Sequence, residues 1–167
     1  MTETEKFKAG VLTMSDKGSR GERVDESGDL VSEMLREQAF EVVSRNIVPD
    51  KEEDIINTLI DWCDIKKLSL IVTSGGTGLS PTDVTPQAMA KVIEFEVPGI
   101  AEAMRAASLL KTPHAMISRA MAGVRGHCLI INLPGSPKGV KENLEVVLPA
   151  LKHALSKLSG DTTDCAS

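Results

Sequence analysis

A chain of 167 residues, of which 41% are hydrophobic, is long enough for a single domain with a sizeable core. Its formal net charge of −5, with no cluster of lysine and arginine, excludes a protein that binds nucleic acid non-specifically, because such binding needs a basic surface. A small anionic ligand remains compatible with this charge, since backbone amides can hold a phosphate locally.

The first half of the chain alternates predicted strands and helices. A buried strand over residues 7–14 is followed by a polar, glycine-containing loop, and apolar residues between 30 and 35 then recur at helical spacing. A β-branched strand is predicted at 40–48. A helix with its apolar face within 55–63 follows, and a third strand is predicted at 68–74.

Two shorter helices are predicted next. Thr85 is expected to cap a helix whose first residue is Pro86. A further helix opens at Pro98, and its inward face is predicted to carry Ile100, Met104 and either Leu109 or Leu110.

The last third adds a strand at 127–133, with residues 116–124 as an edge strand joined to it through Arg125 and Gly126. Ser136 and Pro137 open a long helix that is expected to bend at Pro149. One domain is predicted over 1–167, with its core at about 7–158 and a flexible tail at 160–167.

Continuous apolar strands separated by helices predict a three-layer α/β/α fold with a mostly parallel sheet. Ligands in such folds bind at the carboxyl ends of the strands. In this chain those ends carry SDKGSRG, VPD, TSGGTG and NLPGSPKG, which are all polar and mostly rich in glycine. The sequence therefore predicts that the ligand-binding loops gather at one edge of the sheet.

The segment TSGGTG (73–78) has two interpretations. Its glycines allow backbone amides to approach an anion, and Ser74 and Thr77 add hydroxyl donors, which together favour a phosphate-binding loop. A plain tight turn is the alternative. The loop matches neither GxxxxGK[ST] nor GxGxxG, so the common nucleotide-binding motifs do not apply.

Three carboxylates are predicted at the same edge of the sheet. Asp50 directly follows a strand, whereas Asp25 and Asp83 precede helices and have the ordinary alternative of helix caps. Carboxylates beside a phosphate-binding loop are typical of Mg²⁺-assisted phosphoryl or nucleotidyl transfer, because Mg²⁺ prefers one or two carboxylates together with substrate phosphate oxygens.

The cysteines indicate a reducing compartment. Cys63, Cys128 and Cys165 are odd in number and widely separated, which argues against a disulfide framework and for a cytoplasmic protein. His127 beside Cys128 lacks the spacing of a zinc site. No signal peptide or membrane-spanning run is present in the sequence, so no membrane association is expected.

Three segments together carry a family resemblance: TSGGTGLSPTDVTPQAM, SRAMAGVRG and LIINLPGSPKG. They resemble the MogA/MoaB-type molybdopterin-binding domain, which is also found in plant Cnx and animal gephyrin proteins. The resemblance runs from about residue 7 to residue 158, and its motifs occur in the family's order at matching separations.

The resemblance implies a molybdopterin adenylyltransferase, which transfers AMP from ATP to the terminal phosphate of molybdopterin and releases pyrophosphate. It implies Mg²⁺ on Asp50 and Asp83, with Asp25 as a further catalytic or binding acid. It implies binding roles for Ser15, Ser108, Ser118 and Asn132, although Ser108 also has the interpretation of a solvated helix residue. Physical reasoning adds these residues as ligand contacts: Ser74, Gly75, Gly76, Thr77, Gly78, Arg119, Gly135, Ser136 and Lys138.

The resemblance further implies a homotrimer and a transient contact with the enzyme that inserts molybdate. Two alternatives remain open. One is a MoaB-type paralogue that binds the pterin with little or no catalysis. The other is a CinA-type domain of nicotinamide nucleotide metabolism, against which Thr77 and the spacing of PTDVTP both argue.

Overall fold

The computed structural model describes residues 6–162. Its elements in chain order are β1 (Lys8–Met14), α1 (Asp16–Ser19), α2 (Glu26–Glu37), β2 (Glu41–Val48), α3 (Glu52–Ile60), a π-helical turn (Asp61–Ile65), β3 (Leu70–Ser74), α4 (Thr85–Val92), β4 (Phe95–Glu96), α5 (Pro98–Leu109), a 3₁₀ helix (Pro113–Ile117), β5 (Ala122–Arg125), β6 (Cys128–Leu133) and α6 (Pro137–Leu158).

A single six-stranded sheet forms the middle layer, in the order β2-β1-β3-β6-β5-β4. The four strands from β2 to β6 are parallel, whereas β5 pairs antiparallel with both β6 and β4. The structure thus confirms the predicted α/β fold with a mostly parallel sheet. The carboxyl ends of β1, β2, β3 and β6 meet at one edge, as parallel pairing requires.

Both faces of the central strands are buried. Val11 and Val72 belong to an apolar cluster with residues of α2, α5 and α6 on one face. Leu12 and Ile71 belong to a second cluster with residues of α3 and α4 on the other face. Because successive residues of a strand point to opposite faces, two covered faces require the continuous apolar runs seen in the sequence.

Two details of the helices differ from the predictions. Thr85 is the first residue of α4 rather than its cap, and its hydroxyl donates to the carbonyl of Gly75 at 2.9 Å. Met104 is buried as predicted, but Leu109 and Leu110 are 43% and 90% exposed. The inward prediction for these two leucines is wrong because Leu109 is five residues past the buried Met104, which turns it about 140° away from that face, and Leu110 lies beyond the last residue of α5. The four-residue α1 was not predicted.

The predicted edge strand is shorter than expected and is not at the edge. Only 122–125 are in a strand, because Pro113 opens a 3₁₀ helix capped by the hydroxyl of Thr112, and β4 lies outside β5. Helix α6 continues as one helix through Pro149.

Most of the predicted flexible tail, residues 163–167, lies outside the described residues. Within 6–162, no helix is both long and apolar enough to cross a membrane.

Candidate functional site

The loops after the four parallel strands line a cleft of about 830 Å³. We call it the acidic cleft, and among its lining residues are Ser15, Arg23, Asp25, Glu26, Asp50, Ser74, Gly75, Gly76, Asp83, Gly135 and Ser136. The two glycine loops touch, because a Cβ atom on Gly135 would lie 3.3 Å from Cα of Gly75. The structure therefore brings together most of the site residues that were predicted from sequence.

A second cleft of about 380 Å³ lies on the other side of the glycine loop. We call it the basic cleft, and among its lining residues are Thr77, Gly78, Arg105, Ser108, Lys111, His114, Ser118, Ser136, Lys138, Glu142 and Asn143. Ser136 lines both clefts. The loop 75–78 thus forms part of both walls, with its first two residues towards the acidic cleft and its last two towards the basic one.

The backbone of this loop fits an anion-binding role better than a plain turn. Gly75 and Gly76 have φ angles of +99° and +67°, which favour glycine. The amide of Gly75 donates to the carbonyl of Leu133 at 3.1 Å and is therefore not available to a ligand. The next three amides, those of Gly76, Thr77 and Gly78, have no acceptor within residues 6–162. Consecutive free amides are what an anion-binding loop provides.

Asp50 and Asp83 line the acidic cleft, and neither forms an ion pair with any residue that the structure describes. Asp50 and Asp16 each accept a hydrogen bond from the other's backbone amide, at 3.1 and 2.9 Å. Burial raises the pKa of the Asp50 carboxyl, and the negative charges of Asp16 and Asp83 raise it further. The carboxyl of Asp83 lies beside Gly78, since a Cβ atom there would be 2.8 Å from Oδ2.

This donor set fits Mg²⁺ in part. Two carboxylates that repel each other across one cleft form a place where a divalent cation is favourable. Among residues 6–162, no group of three or more acidic, histidine or cysteine side chains is arranged to hold a metal by itself. The residues present therefore fit an ion that completes its coordination with substrate and water oxygens.

Asp25 has the cap role that sequence reasoning gave as its alternative. Its carboxylate accepts hydrogen bonds from the amide of Gly28 at 2.9 Å and from the hydroxyl of Thr13 at 2.9 Å. Arg45 pairs with the same carboxylate at 3.1 Å. With three partners and a side chain that is only 6% exposed, Asp25 is held in place as part of the cleft wall.

Arg119 does not line either cleft. Its guanidinium donates to the carbonyl of Gly78 at 2.9 Å, to the carbonyl of Asp83 at 2.7 Å and to Gln87 at 3.2 Å. Its own amide donates to the carbonyl of Thr77 at 2.8 Å. These four bonds hold the segment from 77 to 87 in shape and give Arg119 a structural role, while a ligand contact by Arg119 stays a prediction.

Asn132 also lies outside both clefts. It is fully buried in β6, where its amide nitrogen donates to the hydroxyl of Thr73 at 3.1 Å. Ser108 donates to Asn143 at 3.3 Å on the wall of the basic cleft, and Lys138 lines the same cleft with no ion pair to a described residue.

Sequence reasoning missed several residues in or beside these walls, among them Thr13, Arg23 and Arg105 in the walls and Asp16, which is hydrogen-bonded to Asp50. Asp16 could have been found, because it adjoins Ser15 in the same strand-end loop. Arg23 also lies in a loop that was already identified as part of the site. Thr13 is the penultimate residue of an apolar strand, and Arg105 is on a helix, so neither carries a signal in the sequence.

The comparisons with known proteins agree with this geometry. The family model described as a probable molybdopterin binding domain matches residues 10–153. This chain belongs to the MogA/MoaB molybdopterin-binding family. Molybdopterin binding in molybdenum cofactor biosynthesis is the function that this membership supports.

Individual members of the family show how far the likeness extends. The crystal structure of the molybdopterin biosynthesis enzyme MoaB from Thermus thermophilus is 52% identical, with a TM-score of 0.88, covering 93% of this chain and 98% of that one. A molybdopterin adenylyltransferase from Helicobacter pylori is 42% identical over 154 residues, which are 91% of this chain and 88% of the relative. Gephyrin from Dictyostelium discoideum is 41% identical over 165 residues, but this chain spans only 23% of its length.

Proposed function

We propose that this protein is a molybdopterin adenylyltransferase, which transfers AMP from ATP to the terminal phosphate of molybdopterin. The observation that carries the proposal is the pair of clefts of opposite charge that share the loop 75–78 and Ser136. Two anionic substrates that must react with each other need two sites that meet. The 42% identity to an enzyme of that name supports the same reaction.

The charges of the two walls support one arrangement of the two substrates. The acidic cleft contains Asp50 and Asp83, so a triphosphate fits it only when a divalent cation accompanies it. The basic cleft contains Arg105, Lys138 and Lys111, of which Lys111 is paired with Glu142, and the remaining positive charge favours an anion without a metal. Mg-ATP therefore belongs in the acidic cleft and the phosphate of the pterin in the basic cleft.

The reaction needs no nucleophile from the protein. An oxygen of the pterin phosphate attacks the α-phosphorus of ATP, a new P–O bond forms, and the bond to the β-phosphate breaks to release pyrophosphate. Asp50 and Asp83 would hold Mg²⁺, which would neutralise charge on the triphosphate. The protein positions the two phosphates, and the free amides of Gly76, Thr77 and Gly78 stabilise negative charge where the clefts meet.

The direct experiment is incubation with molybdopterin, ATP and Mg²⁺, followed by separation of the pterin products. We expect adenylylated molybdopterin and an equal amount of pyrophosphate. Binding of molybdopterin without any transfer of AMP would instead identify a MoaB-type paralogue, an alternative that the 52% identity to a MoaB protein favours.

Replacing Arg119 with lysine should lower turnover about 10-fold, because one ammonium group cannot bridge the carbonyls of Gly78 and Asp83 together. Steady-state kinetics with varied Mg²⁺ provide the measurement, and we expect a higher Mg²⁺ requirement, because Arg119 holds the backbone carbonyl of Asp83. Arg125→Lys is the matched control, since Arg125 binds Asp64 and the carbonyl of Val92 outside both clefts. Equal turnover in the two variants would contradict a positioning role for Arg119.

We also propose that the protein is a homotrimer. Leu110 and Met116 are 90% and 70% exposed, together with the half-exposed Leu109 and Ile117 nearby in the chain, and this apolar surface favours self-association. Sedimentation at micromolar concentration should show a trimer that persists in high salt, because an apolar contact is little screened by ions. A monomer would reject the trimer and leave the proposed reaction intact, since each cleft is lined by one chain.

A further inference from the structure

Among residues 6–162, the wall of the acidic cleft contains one arginine, Arg23, and no lysine. Its acidic residues in the same range are Asp25, Glu26, Asp50 and Asp83. Asp25 is already neutralised by Arg45, which leaves three carboxylates without an ion-pair partner in the described part of the chain. A nucleoside triphosphate keeps a net negative charge even with one divalent cation bound. It therefore needs a further positive group on this wall.

Arg23 is available for that role. The other arginines near it are engaged: Arg20 pairs with Glu22 at 3.0 Å, and Arg45 pairs with Asp25 and Asp29. Arg23 is exposed and has no hydrogen bond or ion pair with any residue from 6 to 162. No hydrogen bond or ion pair among the described residues therefore explains an arginine at this position.

The segment that carries Arg23 also points to a ligand. Arg23 and Val24 lie in the connection between α1 and α2, where Ser15 and Asp25 on either side line the same cleft. Val24 is 75% exposed although it is apolar and lines the wall. A free guanidinium next to a bare apolar side chain suits a ligand with both phosphate and apolar parts.

We propose that Arg23 binds the β- and γ-phosphates of the nucleoside triphosphate and so selects a triphosphate over a monophosphate. This inference rests on the proposed function. A guanidinium presents a planar fork of donors that matches two phosphate oxygens, which a lysine cannot do. The α-phosphorus must lie where the two clefts meet, at the loop 75–78. The departing pyrophosphate carries most of the negative charge that the metal ion does not neutralise. Arg23 is the positively charged side chain of the described wall that can bind it.

The test measures binding and needs no pterin and no turnover. Isothermal titration calorimetry compares α,β-methylene-ATP with AMP, both in the presence of Mg²⁺, on the full chain. Arg23→Ala should weaken binding of the triphosphate analogue about 10-fold and leave AMP binding unchanged, since charge-assisted hydrogen bonds to phosphate are lost. Arg23→Lys should recover part of the affinity, because it restores the charge without the fork.

Arg20→Ala is the matched control, because Arg20 lies in the same connection, pairs with Glu22 and does not line the cleft. It should bind both nucleotides as the unaltered protein does. Equal affinity of Arg23→Ala and the unaltered protein for the analogue would overturn the inference while the proposed function stands. Equal weakening for the analogue and AMP would also overturn it. If the unaltered protein bound neither nucleotide, the proposed function and the inference would fail together.

Discussion

Asp50→Asn should lower turnover of the adenylyl transfer by about 100-fold or more while leaving the affinity for molybdopterin unchanged. An asparagine keeps the shape of the side chain and can still accept the hydrogen bond from the amide of Asp16. It removes the charge that a metal ion in the acidic cleft requires, and electrostatic stabilisation of transferring groups is worth a factor of this size. Initial rates at saturating ATP, with fluorescence titration of the pterin, measure the two effects separately.

The Asp50→Asn variant should be at least as stable as the unaltered protein. Because burial and the charges of Asp16 and Asp83 raise the pKa of Asp50, its ionised form is disfavoured in the folded state. For a carboxyl with a raised pKa, stability falls as the pH rises through the interval from the unfolded to the folded pKa, and a neutral amide removes that loss. The melting temperature of Asp50→Asn at neutral pH should therefore equal or exceed that of the unaltered protein.

Asp54→Asn is the control for this prediction. Asp54 lies in the first turn of α3, four residues further along, and lines neither cleft. Its replacement should leave turnover within about twofold, because one half-buried charge in the first turn of a helix and outside both clefts contributes at most about 1 kcal/mol to stability and touches no substrate. Normal turnover in Asp50→Asn would contradict the assignment of metal and triphosphate to the acidic cleft.

Gly76→Val should lower both the stability of the fold and the affinity for ligand. A Cβ atom at this position would lie 2.3 Å from Oγ1 of Thr85, and the backbone has a φ angle of +67°. The strained backbone and the displaced hydroxyl bond from Thr85 to Gly75 together cost about 3 kcal/mol. For a chain of this size that loss lowers the melting temperature by roughly 6–12 °C.

The contact with Thr85 is the reason that stability is expected to fall together with binding. Gly126→Val is the matched control. Gly126 has a φ angle of +57°, but a Cβ atom there meets nothing within 4 Å, and it lies in the hairpin before β6, away from the site. This control should be mildly destabilised and bind ligand normally. Normal binding by folded Gly76→Val would support the plain-turn interpretation of the loop.

Local patterns predicted the architecture well. The apolar runs at 7–14, 68–74 and 127–133 contain strands of the central sheet, because burial on both faces leaves a continuous signal along the chain. The β-branched run at 40–48 contains the edge strand β2, which is only partly buried. The same signal fails at Leu109 and Leu110, which are apolar but exposed. Apolar character does not tell where a helix ends, and these two leucines lie at or beyond the end of α5.

The sequence by itself determined the fold class, the edge of the sheet at which the polar loops gather, and most of the side chains at that edge. These follow from patterns within a few residues, such as glycines at strand ends and carboxylates next to them. Only the tertiary structure decided which groups are free and which are already engaged. In the structure, the carboxylate of Asp25 accepts hydrogen bonds from Arg45 and Thr13. The guanidinium of Arg119 donates to the carbonyl of Gly78, which is 41 residues away in sequence. The structure also shows two clefts of opposite charge where the sequence predicted one site. Hydrogen bonds and electrostatic interactions join segments that are far apart in sequence, and the sequence does not state the distances between them.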